Sequence, residues 1–281
     1  MKLTETFGHS WGRIWRWVLV GVWCTASILL FLWILMSSFK STNQIFASIW
    51  QPPTRLLFGN YARAWFSSEL ARATMNSVLV DGGATVITLA IAAPAAYVLS
   101  RTRFRGVDTL SYAFVLGIGI PVQAVLIPLY VLMANTGLLD SLVGLAVAYV
   151  ATTVPFIVFL LTGYFRSLPR ELEEAAAIDG ANAFRTFLVV MVPVAWPGIL
   201  TAAIFELVAL WSEFFLALTL INSNQNDTLP LAIVNMYATM KYTGDWSGLF
   251  AGVIIVVLPI TVAYGILSKR MMEGLTLGAV K

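Results

Sequence analysis

Long stretches without a charged residue constrain this chain more than any other feature. Runs of about twenty apolar residues match the length of helix that crosses the hydrocarbon core of a bilayer. The sequence therefore predicts an all-α integral membrane protein, a single transmembrane domain over residues 1–281 with six transmembrane helices. The predicted spans are about 18–39, 82–100, 109–133, 142–163, 199–220 and 249–268.

Composition excludes several other classes of protein. Charged residues make up 11% of the chain, against roughly a quarter in soluble proteins. The sequence has no basic patch with interleaved aromatic residues, so it carries no indication of nucleic-acid binding. One cysteine, Cys24, and one histidine, His9, offer neither a disulfide framework nor a metal cluster. The first apolar run lacks a small-residue cleavage site behind it, so we expect a retained helix rather than a signal peptide.

The distribution of basic residues predicts the orientation. The two terminal tails, the loop 101–108 and the insert 166–197 alternate onto one side and together hold twelve of the 17 basic residues. Because basic residues concentrate in cytoplasmic loops, we expect a multi-pass protein of the plasma or inner membrane with both termini in the cytoplasm. The five basic residues on the opposite side are Lys40, Arg55, Arg63, Arg72 and Lys241.

The insert between the fourth and fifth spans, about 164–198, is the longest charge-bearing segment inside the apolar chain. Pro169 suits a first helical turn, and the glutamates that follow complement the positive end of the helix dipole. Gly180 can end that helix in the left-handed conformation. A second helix, 181–190, is expected to stop at Pro193 and Pro197. The pair is either a capped surface helix or a docking element for another protein.

Three further expectations concern the remaining connections. A helix on the membrane surface is expected over about 60–74, and Asn76 could cap the start of the second span. Pro121 and Pro128 should kink the third span. The segment 222–246 is expected to be a polar outer loop that either docks a binding protein or is simply solvated.

The motif Glu174-Ala175-Ala176-x-x-x-Gly180, followed by Val190-x-Val192-Pro193, resembles the EAA signature of ABC importer permeases, with valines where that family has Ile-x-Leu-Pro. Its position between the fourth and fifth spans also matches. Similarity to the smaller permease of maltose-type importers extends over nearly the whole chain. The stretches that carry it are Ile127-Pro128-Leu129-Tyr130, Gly137-Leu138-Leu139-Asp140, Trp211-Ser212-Glu213-Phe214 and the tail Gly274-Leu275-Thr276-x-Gly278-Ala279-Val280-Lys281.

The resemblance implies the type I importer permease fold with a cytoplasmic coupling helix, and a sugar or oligosaccharide as cargo. It also implies a sister permease, a cytoplasmic ABC ATPase dimer and an extracytoplasmic solute-binding protein as partners in the lipid membrane. The sequence has no phosphate-binding glycine loop, so we expect a non-catalytic subunit without a cofactor, with ATP and Mg²⁺ bound by the partner ATPase. The expected ATPase-coupling residues are Glu171, Glu174, Ala175, Ala176, Asp179, Gly180 and Pro193.

Two acidic residues lie within the fifth predicted span, and ionisable groups at membrane depth usually face a bundle interior or a water-filled cavity. Glu206 and Glu213 are seven residues apart, so they should share one face of a helix. One interpretation places them, with Gln123 and Trp211, in the translocation pathway. The other pairs the two glutamates with polar groups of the sister subunit.

Three alternatives belong to other functions. The permease could carry a peptide, an amino acid or an anion instead of a sugar. An autonomous secondary transporter would favour an inverted repeat, which the sequence does not display. A membrane-embedded enzyme would need a convergent catalytic set at depth, where the spans offer only two glutamates.

Overall fold

The computed structural model describes the backbone of residues 4–279 and the side chains of residues 15–266 and 268, and this part of the chain contains helices and no strand. His9 and the tail 274–281 lie outside the described side chains. The helices are α1 Thr4–Ser38, α2 Thr42–Ala47, α3 Gly59–Ala62, α4 Leu70–Arg101, α5 Val107–Ile118, α6 Val122–Asn135, α7 Leu142–Ser167, α8 Glu171–Ile178, α9 Ala183–Arg185, α10 Val192–Trp211, α11 Phe215–Leu220, α12 Leu229–Thr243 and α13 Trp246–Ala279. Two π-helical segments, Arg63–Ser67 and Thr186–Met191, precede α4 and α10, and a 3₁₀ turn covers Asn224–Asn226.

Five helical stretches in the described part of the chain are long and apolar enough to cross a membrane. A sixth candidate is the pair α5 and α6, which bend by 97° at their junction. The five continuous stretches are Trp15–Ser38, Leu70–Arg101, Leu142–Ser167, Ala183–Trp211 and Trp246–Ile266.

Helices α4 and α7 run parallel, which decides how the bent pair is counted. The Thr88 and Thr153 hydroxyls lie 3.2 Å apart, and further along both helices the Tyr97 and Phe165 rings are 5.7 Å apart. Beyond them, Arg101 donates to the carbonyl of Leu168. Since α4 and α7 point the same way, the chain must return across the bundle between them. The pair α5 and α6 therefore counts as one span, which brings the candidate spans of the described residues to the six that the sequence predicts.

The third span differs from a single kinked helix over 109–133. Helix α5 ends at Ile118, Gly119 continues in a helical turn, and Pro121 adopts extended backbone before α6 begins. Proline lacks the N–H donor and clashes with the preceding turn, so the break falls there. Pro128 lies inside α6 without ending it.

The prediction that Pro193 and Pro197 stop a helix is wrong. A π-helical segment precedes Pro193, and the Val192 N–H bonds the Phe187 carbonyl five residues back. Pro193 then lies in the first turn of α10, where the missing N–H is tolerated, and the apolar stretch runs from Ala183 to Trp211. The fifth span therefore begins before residue 199 and ends before residue 220.

The second span begins at Leu70, twelve residues before the predicted start at 82. The expected surface helix over 60–74 shrinks to α3 and the π-helical segment that follows it. Asn76 does not cap a helix, because it lies buried within α4 and donates to the carbonyls of Gln225 and Asp227 at 2.9 Å each. Polar residues with partners inside the chain extend the helix beyond its apolar run.

The expected outer loop over 222–246 is largely helical, because α12 occupies Leu229–Thr243. The sixth span begins at Trp246, three residues before the predicted start at 249, and its helix α13 continues beyond the apolar stretch to Ala279. Asp140 and the backbone around Asn222 are joined by hydrogen bonds, which fix the start of this segment.

Contacts divide the chain into two compact units. One comprises residues up to 68 together with 235–255. In it the buried Lys40 ammonium donates to the Ser48 and Ile49 carbonyls, and the Trp33 indole also donates to Ile49. The other comprises 69–234 and residues from 256 onward, and its core is packed among α4, α7 and α10. The single domain over 1–281 stays a prediction.

Candidate coupling loop and buried polar sites

Helix α8 is a short helix that follows directly after α7. Its first turn carries three glutamates, which favour the positive end of the helix dipole. It ends at Ile178, and Gly180 two residues later has a φ of 77°, which confirms the expected left-handed conformation. The Ala181 N–H bonds the Ala176 carbonyl at 2.9 Å and the Gly180 N–H bonds the Ala177 carbonyl at 3.0 Å. These two bonds form a Schellman cap, which turns the chain sharply at the end of α8.

The two faces of α8 have different surroundings. Glu171, Glu174, Ala175 and Ile178 have the spacing of one helix face and are all exposed, with Ile178 87% exposed. Beyond the Schellman cap, Phe184 is also 72% exposed. This end of the unit therefore presents two large apolar side chains beside a row of small and acidic ones.

The structure brings most of the expected coupling residues together and separates two. Glu171, Glu174, Ala175, Asp179 and Gly180 are exposed on α8 and its C-terminal turn. Ala176 points inward and is 7% exposed, and α8 packs on the π-helical segment Thr186–Met191. Pro193 belongs to another element, the first turn of α10.

A polar cluster on the inner side of α8 was missed from the sequence. The Tyr97 hydroxyl donates to Glu173 Oε1 at 2.6 Å. Arg101 Nε lies 3.4 Å from Glu173 Oε2, an ion pair without hydrogen-bond geometry, and another guanidinium nitrogen donates to the Leu168 carbonyl at 2.7 Å. The Arg101 side chain is 6% exposed and that of Glu173 23%. The only sequence signal was the basic residue ending the second span.

Glu206 is buried in α10 and is 2% exposed. Its Oε1 lies 2.8 Å from the Thr153 hydroxyl of α7, and that hydroxyl lies 3.2 Å from the Thr88 hydroxyl of α4. The second carboxyl oxygen, Oε2, has no hydrogen-bond partner in the described part of the chain. Glu206 thus joins the three helices at the centre of this unit.

Glu213 does not share a helix face with Glu206, because α10 ends at Trp211 and Glu213 lies in the break before α11. It accepts hydrogen bonds from the Leu216 N–H at 2.8 Å and the Ala217 N–H at 3.2 Å. The Tyr149 hydroxyl donates to it at 3.0 Å. Glu213 therefore caps α11 and ties it to α7.

The four expected pathway residues do not form one cluster of contacts. The Trp211 indole donates to the Val256 carbonyl of α13 at 3.1 Å. Gln123 is exposed in the first turn of α6, just after the bend. Both carboxylate oxygens of Glu213 accept hydrogen bonds within the chain, whereas Oε2 of Glu206 has no partner among the described residues. The interpretation that the glutamates need the sister subunit is therefore weakened for Glu213 alone. Asp81, buried in α4, was not among the expected site residues.

Asp140 organises the connection between α6 and α7. It has a left-handed φ of 52°, which aspartate tolerates better than most residues. Its Oδ1 accepts from the Ser223 N–H, the Asn222 N–H and the Ser223 hydroxyl. These hydrogen bonds hold the pKa of Asp140 below its ordinary value, and the bond from the Ser223 N–H contributes most.

Comparison with known proteins gives concordant matches. The family model for the binding-protein-dependent transport system inner membrane component matches residues 88–272. The diacetylchitobiose uptake system permease protein of Streptomyces coelicolor is 36% identical over 92% of this chain and 86% of its own length. The trehalose transport system permease protein of Mycobacterium tuberculosis is 34% identical over 89% of this chain and 91% of its own.

A solved structure shares the fold. A bacterial ABC transporter involved in the import of the acidic polysaccharide alginate matches with a TM-score of 0.78 and 23% identity, over 96% of this chain and 98% of that one. These findings confirm the resemblance carried by the EAA signature and identify a membrane permease. The chain belongs to the family of binding-protein-dependent transport system inner membrane components.

Proposed function

We propose that this chain is a permease subunit of an ATP-driven importer for a sugar or oligosaccharide and forms the translocation pathway with a sister permease. The support for the cargo is chemical. The two relatives are named for the transport of diacetylchitobiose and trehalose, both of which contain sugar units. Gln123, Glu206, Trp211 and Glu213 remain the proposed pathway residues.

The observation that carries the proposal is the exposed face of α8. Ile178 and Phe184 leave large apolar surfaces uncovered on either side of Gly180, and such surfaces mark protein contacts. We assign this face to the cytoplasmic ABC ATPase dimer, which binds ATP and Mg²⁺ and supplies the hydrolysis. An extracytoplasmic binding protein delivers the solute on the opposite side, and both termini are cytoplasmic.

The proposed mechanism is a rigid-body movement. Closure of the ATPase dimer on nucleotide pushes α8, and the helices rock between inward-open and outward-open states. The ATPase favours the outward-open state only through contacts that differ between the two states. Glu174 is the main polar contact with the ATPase, and Gly180 keeps the turn that presents it.

Reconstitution tests the function directly. The chain is purified with its sister permease, ATPase and binding protein and placed in lipid vesicles. Uptake of radiolabelled diacetylchitobiose and trehalose is measured with and without ATP, beside a dipeptide and an amino acid. We expect ATP-dependent uptake of a sugar. Uptake of the dipeptide or amino acid alone would overturn the sugar assignment, and uptake without the ATPase would overturn the importer assignment.

Replacing Gly180 by valine tests the coupling role of α8. A β-branched residue at this positive φ strains the backbone by about 1–3 kcal/mol and distorts the cap. We expect ATP hydrolysis to continue while uptake is lost. Gly106→Val is the matched control, because Gly106 also has positive φ and open surroundings but lies before α5. Unchanged uptake by Gly180→Val, or equal loss in both variants, would contradict the role.

A further inference from the structure

We propose that Glu173 is the positioning residue that fastens α8 to α4, so that movement of α8 is passed into the bundle. The proposal rests on the proposed function of α8. It concerns a different residue from the exposed Glu174, which directly follows Glu173 and is assigned to the ATPase. The adjacent glutamates therefore have separate tasks, because successive residues of a helix point about 100° apart, and only Glu173 is turned toward α4.

Glu173 contacts two residues of α4, Tyr97 and Arg101. One carboxylate oxygen accepts the Tyr97 hydroxyl at 2.6 Å, and the other lies 3.4 Å from Arg101 Nε. Tyr97 and Arg101 are four residues apart in a helix, so both contacts are on one face of α4. Two contacts on one face resist rotation as well as separation, which a single hydrogen bond would not.

The same cluster reaches the other elements at this end of the unit. Arg101 also donates to the Leu168 carbonyl just after α7. The Tyr97 ring packs 5.7 Å from Phe165 of α7 and 5.1 Å from Phe187 of the π-helical segment. Packed groups of this kind move together rather than deform. A displacement of α8 is therefore shared by the ends of α4 and α7.

Burial strengthens the attraction between these two charges relative to that in an exposed surface pair. The Arg101 side chain is 6% exposed and that of Glu173 23%, so water screens them weakly. Helix α4 has 32 residues and extends about 48 Å, enough to carry a movement across the bilayer. The hydrogen bonds of Asn76 to the carbonyls of Gln225 and Asp227 then pass it to the opposite end of the unit.

The test compares three variants of the complete importer in vesicles. Glu173→Gln keeps the size of the side chain and removes its charge. Tyr97→Phe removes one hydroxyl and is the milder variant if the first fails to assemble. Arg103→Gln is the control, because Arg103 is an exposed basic residue close to Arg101. For each, three quantities are measured: the ATPase retained on purification, ATP hydrolysis, and uptake of the sugar that the wild-type importer transports.

We expect all three variants to retain the ATPase and hydrolyse ATP. Uptake per ATP hydrolysed should fall about fivefold or more in Glu173→Gln and by a smaller factor in Tyr97→Phe, as expected for a lost coupling contact. The control should keep the wild-type ratio.

Two results would overturn the proposal. One is a wild-type ratio of uptake to hydrolysis in Glu173→Gln. The other is loss of assembly in Glu173→Gln with an unchanged ratio in Tyr97→Phe, which assigns the cluster to folding alone. Failure of the wild-type chain to retain an ATPase would instead refute the proposed function, so the two failures are distinguishable.

Discussion

Single residues join segments of this protein that are far apart in the sequence, and Asp140 is the clearest example outside the membrane spans. Its carboxylate serves Asn222 and Ser223, more than eighty residues away. Its position at a left-handed φ requires a residue such as aspartate, asparagine or glycine. Asp140 thus sets both the turn before α7 and the start of the segment after α11.

This site gives a prediction about pH. The pKa of Asp140 is lowered below its ordinary value of 3.8, so the unfolded chain binds more protons at low pH. Its stabilisation is complete above that ordinary value and is lost as pH falls through the lower, folded pKa. We expect the melting temperature of the purified complex to fall less steeply below about pH 4 in Asp140→Asn than in wild type. The exposed Asp108→Asn is the control and should keep the wild-type slope; equal slopes for all three would contradict the assignment.

The capping role of Glu213 gives a second prediction. Glu213→Gln leaves one acceptor oxygen for three donors, so we expect a loss of about 1–3 kcal/mol in stability. Tyr149→Phe removes only one donor and should cost less. Melting of the complex and uptake per assembled complex are measured together. Unchanged stability with lost uptake in Glu213→Gln would assign the residue to the pathway instead of the cap.

Residue types in sequence order could predict the exposed face of α8 but not its inner one. The EAA spacing identifies Glu174 and Gly180, because their neighbours in sequence define the motif. Glu173 and Glu174 are the same type of residue, and only the helical turn points them in different directions. The partners of Glu173, Tyr97 and Arg101, come from a helix that is distant in the sequence. Pairing of that kind depends on how helices pack, which periodicity alone does not determine.

Among the elements, α7 and α10 approach closely at Gly198. A Cβ atom there would lie 2.5 Å from the ring of Tyr164, too close for any real contact. We expect Gly198→Ala to destabilise the complex by about 1–3 kcal/mol, because the rigid ring must shift. Gly83→Ala is the control, since open space surrounds Gly83 in α4 and alanine favours a helix by up to about 1 kcal/mol. Melting temperatures decide, and equal values for the two variants would refute the close packing.

The elements show where hydropathy predicts well and where it does not. Apolar runs identified six crossings, since lipid demands them. The limits were less predictable, because α4 continues through buried polar residues that find partners in the chain. The π-helical turn before Pro193 and the bend at Pro121 come from the same residue type, yet one continues a span and the other breaks it. Packing around each proline decides between them.

For the molecule as a whole, the parallel course of α4 and α7 makes the two sides of the membrane testable. Arg103 follows α4 at the end where the chain enters α8, and Asn224 lies near the opposite end. Single cysteines replace each in a Cys24→Ser background and are treated with a membrane-impermeant maleimide. We expect Asn224→Cys to react in intact cells and Arg103→Cys only after permeabilisation. The reverse pattern would overturn cytoplasmic termini.

The separation of the two faces of α8 also bears on how such a permease can acquire a different ATPase partner. We propose that the outward residues Glu171, Glu174, Ala175 and Ile178 contact the ATPase, whereas Glu173 and Ala176 face the helices of the chain itself. Because the two sets of residues are separate, the outward residues can be substituted to suit a different ATPase without loss of the contacts that hold α8 to the bundle. The outward face of α8 can thus change its partner while the attachment of the helix to the bundle stays the same.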